Sequence, residues 1–137
     1  MSTYTSRITF ETGGDNDIVD LTREMLDAVA ASGFSDGVVT AFIPGSTAGI
    51  TVTEYEPGLI ADTAEALDRL VPRDARYAHN RGAETNGHAH VRASLVGPSL
   101  SVPVVGGSLT LGSWQQVVLI DFDDRPRRRD VVIQIVG

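Results

Sequence analysis

Residues Tyr4 to Glu11 alternate, with Tyr4, Ser6, Ile8 and Phe10 on one side and Thr5, Arg7, Thr9 and Glu11 on the other. A period of two predicts a half-buried strand. Gly13-Gly14-Asp15-Asn16 then breaks the chain. Ile18, Leu21, Met25, Ala28 and Val29 recur at helical spacing, with Asp20 and Glu24 toward the start and Gly33 as a stop. This predicts a helix over 17–32, capped by Asn16 or Asp17. The apolar run Val38–Ile43 reads as a buried strand, and Ile50–Glu54 alternates as another. Pro57 suits a first helical position, and Leu59, Ile60, Ala64, Leu67, Leu70 and Val71 place a second amphipathic helix before Pro72.

Residues 73–87 are polar and irregular, and 88–96 fits either a helix, begun at Asn86 and stopped by Gly97, or a strand; the helix is the preferred reading. From Leu100 the pattern is β: 100–104, a turn at Gly106-Gly107, 109–111, 117–122, and 131–136 after an arginine cluster. The connections are too short for repeated crossovers. The expected architecture is a single α+β domain, mainly antiparallel sheet, with about six or seven strands and two or three helices.

Composition narrows the chemistry. The 137 residues contain no cysteine, which excludes disulfides, thiolate zinc sites and thiol catalysis. All eleven basic residues are arginine, so lysine Schiff bases and the P-loop lysine are excluded as well. A net charge of −7 argues against nucleic-acid and anionic-membrane partners. The basic run Arg125, Arg127, Arg128 and Arg129 is matched by Asp121, Asp123, Asp124 and Asp130, and reads as a solvated, acid-balanced turn. No apolar run approaches the roughly 18 residues of a membrane span, and the N-terminus has no apolar signal-like stretch, so the cytoplasm is the expected location.

The three histidines, His79, His88 and His90, fall within twelve residues. Imidazole is the commonest metal ligand. On a strand His88 and His90 would share a face; on a helix they diverge by about 200°, leaving His79 with one of them. Glu54 is a candidate oxygen ligand or base, while Glu56 before Pro57 reads as a helix-dipole complement. Ser46 and Thr47 lie in a loop of small residues able to turn backbone N–H groups toward an anion, or simply to connect two strands. Trp114, next to Gln115, suits either a core position or an aromatic wall beside a planar ligand. Arg125 and Arg127 are candidate phosphate clamps.

Taken together, PGSTAGITVTEYEPG, YAHNRGAETNGHAHVRASLVGPSLSVPV and LTLGSWQQVVLIDFDDRPRRRDVVIQIVG resemble the YjbQ family over nearly the whole chain. The resemblance implies a single YjbQ-like domain over 1–137, an α+β fold and a homotrimer. It also implies a polar site near subunit boundaries around a metal such as zinc, and a secondary thiamine-phosphate synthase activity. By position, it carries over Glu54, His79, His90, Trp114 and Gln115, with Asn86 and Arg92 inside the matched stretch. Many relatives have a histidine where this chain has Gly45, and a small residue where it has His88. The expectation is that His88 restores the third imidazole, with loss of the metal as the competing reading.

Three functions follow as expectations. The first is a transferase joining a hydroxymethylpyrimidine diphosphate to a thiazole phosphate with release of pyrophosphate. It would use Glu54, Arg92 and Gln115 in catalysis; Ser46, Thr47, Asn86, Trp114, Arg125 and Arg127 in binding; and Mg²⁺ or zinc on the diphosphate. The second is a zinc hydrolase or lyase with Glu54 as base. The third is a non-catalytic trimer holding a metal or a small phosphorylated metabolite.

Overall fold

The computed structural model describes Met1–Gly137 throughout. The alternating N-terminal segment forms strand β1 (Thr3–Thr12), which turns Tyr4, Ile8 and Phe10 toward the interior as its period requires. The next segment departs from the expectation. Residues 17–20 are a strand, β2 (Asp17–Asp20), and helix α1 begins only at Thr22 and runs to Ser32. Ile18 and Val19 are β-branched and sit opposite Ile120 and Leu119, so pairing with a central strand outweighs the helical spacing. Neither Asn16 nor Asp17 caps the helix. Asp17 instead accepts the Gly13 N–H at 2.8 Å, and Asp20 accepts the Thr22 N–H at 2.9 Å. Gly33 stops α1 in the left-handed region, as expected.

The remaining elements are β3 (Gly37–Phe42), β4 (Ala48–Thr53), α2 (Pro57–Leu70), α3 (Gly87–Val96), β5 (Ser99–Val105), β6 (Ser108–Leu109), β7 (Gln116–Asp121) and β8 (Arg127–Val136). One sheet has the order β1-β8-β3-β5-β6 and the other β2-β7-β4, and every pairing is antiparallel. The α+β expectation holds, with eight strands divided between two sheets and three helices.

The main core lies between the sheets. Val131, Ile133 and Ile135 of β8 meet Ile50, Val117 and Leu119 from the second sheet and Met25 and Val29 of α1. The alternate residues of β7, Val118 and Ile120, enter a second core with Ala89 and Ala93 of α3. Strand β7 is therefore buried on both faces, which is why its sequence is an unbroken apolar run rather than an alternating one. Helix α2 covers this second core with Ile60 and Leu67. Its N-cap is Glu56, whose carboxylate accepts the N–H groups of Gly58 and Leu59 and is held below the usual carboxylate range by those two donors.

Two further expectations change. Strand β8 starts at Arg127, four residues before its predicted start, so Arg127, Arg128 and Arg129 are in a strand and only Arg125 is in the turn before it. Trp114 is neither strand nor core: it is 75% exposed in the connection between β6 and β7. The preferred helix over 88–96 is present, ending before Gly97, although Asn86 makes no side-chain cap to it.

Candidate functional site

The period of β8 carries a charge into the interior. Arg129 continues the inward series Val131, Ile133, Ile135 and is 9% exposed. Its guanidinium grips the fully buried Asp121 bidentately, Nε donating to Oδ2 at 2.6 Å and Nη2 to Oδ1 at 2.8 Å. Nη2 also donates to Thr47 Oγ1 at 2.7 Å, and Thr47 Oγ1 donates to Asp123 Oδ2 at 3.0 Å. Thr12 donates to Asp121, and Arg127 Nε donates to Asp123 Oδ2 at 2.8 Å. Burial opposes ionisation of Asp123, but donors from the Asp124 backbone, Arg127, Asn86 and Thr47 outweigh it and hold the carboxyl far below its ordinary range.

Two of the acids flanking the arginine run, Asp121 and Asp123, balance Arg129 and Arg127 by direct contact with buried carboxylates, while Arg125, Arg128 and Asp130 stay exposed. Because the folded-state pKa of Asp123 lies below its unfolded value, the carboxylate stabilises the fold above about pH 3.9 and loses that effect as pH falls lower. Urea unfolding between pH 7 and pH 3 is expected to show a fall in stability below pH 4. That fall is expected to be shallower in Asp123→Asn measured against its own pH 7 value.

This network ends at an imidazole. Asp123 is ionised and only accepts, so Asn86 must present its amide N–H to it, Nδ2 donating to Oδ1 at 3.3 Å. Asn86 Oδ1 then faces His79 Nε2 at 3.2 Å and must accept from it. The neighbour thus calls for a proton on His79 Nε2, which also lies 3.7 Å from Glu84 Oε2. His90, on α3, stands with its ring centroid 4.6 Å from that of His79, tilted by 60°. Gly87 permits the approach: a Cβ there would lie 2.7 Å from Tyr77 Cβ and 2.8 Å from Asn80 Oδ1. No side chain fits where the loop carrying His79 crosses the start of α3.

Beside His90 is a cleft of about 190 Å³ that also contacts Gly45, Ser46, Ala48, Ser94 and Pro98. An adjoining basin lies between Arg76 and Arg81 and includes His79. Ser46 is exposed at the cleft, whereas Thr47 is turned into the buried network.

The other predicted residues go elsewhere. Helix α3 splits His88 from His90, so the expected three-histidine arrangement does not form. Arg92 is buried on the His88 side and donates to Val71 O, Asn16 and Asp68. Arg127 is bound to Asp123, and the exposed Arg125 lies 3.7 Å from Asp124. Glu54 follows the far end of β4 from Ala48, roughly 20 Å along the strand. Gln115, whose Oε1 accepts the Gly112 N–H, and Trp114 precede β7 at that same end of the sheet, because Thr53 pairs with Gln116.

Sequence reasoning missed Arg129 as a buried anchor. Extending the inward alternation of Ile135, Ile133 and Val131 by two residues finds it.

The donors in one chain do not make a catalytic zinc site of the usual kind, which takes three protein ligands. His79 and His90 are two, and no group of three His, Asp or Glu side chains comes together. A Cβ at Gly45 would lie 3.2 Å from Arg129 Nη1 and 3.9 Å from Ile43 Cγ1, leaving room for a side chain with a small adjustment. Gly45→Ala with Gly45→His separates bulk from ligation. Only the histidine is expected to raise zinc affinity in chelator competition, by at least about the tenfold that even an outer-shell partner of a ligand contributes.

The sequence matches the family described as "UPF0047 protein YjbQ-like" over residues 6–137. A UPF0047 protein of Methanothermobacter thermautotrophicus is 34% identical over 137 residues, covering 100% of this chain and 94% of its own. One from Mycobacterium tuberculosis is 44% identical over 114 residues, covering 81% and 83%. Among solved structures, a YbjQ-like protein of unknown function from Sulfolobus solfataricus superposes with a TM-score of 0.95 at 29% identity, covering 99% of this chain and 98% of that one. A YjbQ/UPF0047 protein of Clostridium acetobutylicum superposes with a TM-score of 0.89 at 36% identity, covering 96% and 99%. On a match spanning almost every residue and relatives of this likeness, the chain belongs to the YjbQ-like UPF0047 family.

Proposed function

We propose that the chain is an enzyme acting on a small phosphorylated metabolite at the cleft beside His90, whose ring packs against that of His79. The reaction is the thiamine-phosphate synthase type implied by its sequence resemblance. The observation that carries this reading is the oriented imidazole pair, with the His79 tautomer set through Asn86 by an ionised Asp123. In this reaction the bond from the pyrimidine's methylene carbon to the diphosphate oxygen breaks. A bond from that carbon to the thiazole nitrogen forms, and pyrophosphate leaves with its charge. The His90 imidazole donates a proton to the departing diphosphate, and the Ser46 and Ser94 hydroxyls at the same cleft donate hydrogen bonds to it. Arg76 and Arg81 line the adjoining basin and supply positive charge to the second phosphate. A cation for the diphosphate would enter with that substrate: Mg²⁺, as a hard cation, would favour the phosphate oxygens, and zinc would draw on the imidazoles as well.

Glu54, Trp114 and Gln115 act on this site from a neighbouring subunit. They lie at the opposite end of the same sheet, and Trp114 is exposed, as a heterologous, ring-closing interface requires. In the trimer Trp114 stacks on the pyrimidine, while Glu54 and Gln115 bond its amino group. Mixing inactive His90→Ala with inactive Glu54→Gln subunits is therefore expected to restore part of the activity, and no recovery would place Glu54 outside the shared site.

The deciding assay incubates purified protein with the two phosphorylated precursors and Mg²⁺ or zinc, and measures thiamine phosphate and pyrophosphate together. Absence of both products rejects the transferase. A second reading, a histidine-centred hydrolase or lyase, has one observation in its favour: Arg92, Arg127 and Arg129 are engaged internally and leave few cations for a diphosphate. It predicts loss of the diphosphate substrate without coupling to the thiazole. Retention of substrate with neither reaction indicates a binding protein.

A further inference from the structure

We propose that a second site, on the face of α3 opposite His90, binds a small ligand bearing a primary ammonium group. His88 and Arg92 are four residues apart on that helix and line a cavity of about 410 Å³ together with Asp15, Asn16, Arg73 and Asp74. The volume is in the range of small-molecule sites, but apart from Pro72 every lining side chain is polar or charged. The cavity shares no residue with the cleft beside His90 and does not depend on the reaction proposed there.

The imidazole of His88 is the feature that asks for a ligand. It is 1% exposed, and its Nδ1 has neither a partner nor access to solvent. Such an atom costs stability unless something in the cavity compensates it. Burial, then Arg92, then Arg73 lower its pKa, so the neutral ring offers a lone pair. The opposing wall is held in strained backbone. Gly14, Asp15 and Asn16 have φ of 71°, 50° and 67°, three left-handed residues in a row, two of them not glycine. Backbone bonds from Asp15 N to Asp123 O and from Asn16 N to Asp121 O fix them there, presenting both side chains to the cavity.

Charge selects the ligand. Asp15 pairs with Arg73 and Asp68 with Arg92, leaving Asp74 as the lining carboxylate without an ion pair. The cavity therefore has acceptors in excess: one unbalanced carboxylate and the spare lone pairs of the other two, with the His88 ring in the wall behind them. An ammonium group has three donors and no acceptor, and complements that set. A free anion meets excess negative charge. A divalent cation finds no three donors gathered. A quaternary amine finds no aromatic wall. The chain has no lysine, so another copy has no side-chain ammonium to insert, and the ligand is a free amine.

The test follows the three histidine ring signals by NMR while 1,4-diaminobutane is titrated into the full-length protein in 0.3 M salt. A saturable shift of His88, with His79 and His90 unmoved, is expected. Asp74→Asn, at an exposed residue that leaves the fold intact, is expected to weaken binding by about tenfold, the size of one charge-assisted hydrogen bond. Asp62→Asn, on the exposed surface of α2, is expected to leave it unchanged. The proposal is overturned by a shift that does not saturate, by equal weakening in both variants, or by inorganic phosphate producing the same saturable shift.

Discussion

Replacing Arg129 with alanine is expected to lower the unfolding free energy by about 3–5 kcal/mol, read by urea denaturation at pH 7. The change leaves Asp121, fully buried, without the two guanidinium donors that balance it, and leaves Thr47 Oγ1 without one of its partners. A domain of this size has roughly 5–15 kcal/mol of stability in total, so the variant is expected to sit near the folding threshold. The loss comes from the stranded carboxylate rather than from the absent pair. The double variant Arg129→Met with Asp121→Leu is accordingly expected to recover much of it, since apolar replacement of a buried pair is often neutral or stabilising. If Arg129→Ala unfolds at the same urea concentration as the parent, Asp121 is compensated by other means and the network does not anchor the site.

The second large effect is on turnover. His90→Ala is expected to lower product formation by about 10²–10⁴-fold, the range for loss of a general acid, with unchanged thermal unfolding. Asn86→Ala is expected to lower it less, by about tenfold, because the imidazole of His79 survives but loses the acceptor that sets its tautomer. Its diagnostic readout is ¹⁵N NMR of the ring. The parent is expected to show His79 protonated at Nε2, and the variant a mixture of both tautomers. A purely structural role for Asn86 would lower stability and leave that spectrum unchanged. Equal turnover in His90→Ala and the parent would remove the imidazole pair from the chemistry.

These two experiments probe opposite ends of one chain of contacts, from Arg129 through Thr47, Asp123 and Asn86 to His79. The loop of small residues, read from the sequence as either an anion cradle or a plain connection between strands, divides its two hydroxyls. Thr47 joins the site to the buried ionic cluster, while Ser46 alone stays at the cleft. Two of the arginines that looked available for phosphate, Arg92 and Arg127, serve the fold, and the proposed reaction draws on Arg76 and Arg81 instead.

Local pattern by itself determined the elements whose burial is one-sided. Strand β1 and helix α2 from Pro57 are legible because their period and boundary residues agree, whereas for α3 only the Gly97 stop favoured the helix over a strand. The three histidines were also visible, and so was the helical reading under which His88 and His90 must part. Tertiary structure decided the rest. It made a strand of Asp17–Asp20 because a partner strand was in reach, and it drew Arg127, Arg128 and Arg129 into β8. It also chose His79 and His90 as the pair, through a close approach that only Gly87 allows. The physical reason is common to all three. Spacing along a chain shows which way a side chain points, but the free energy of a buried charge or a paired edge depends on what arrives opposite it, from residues about a hundred or more positions away.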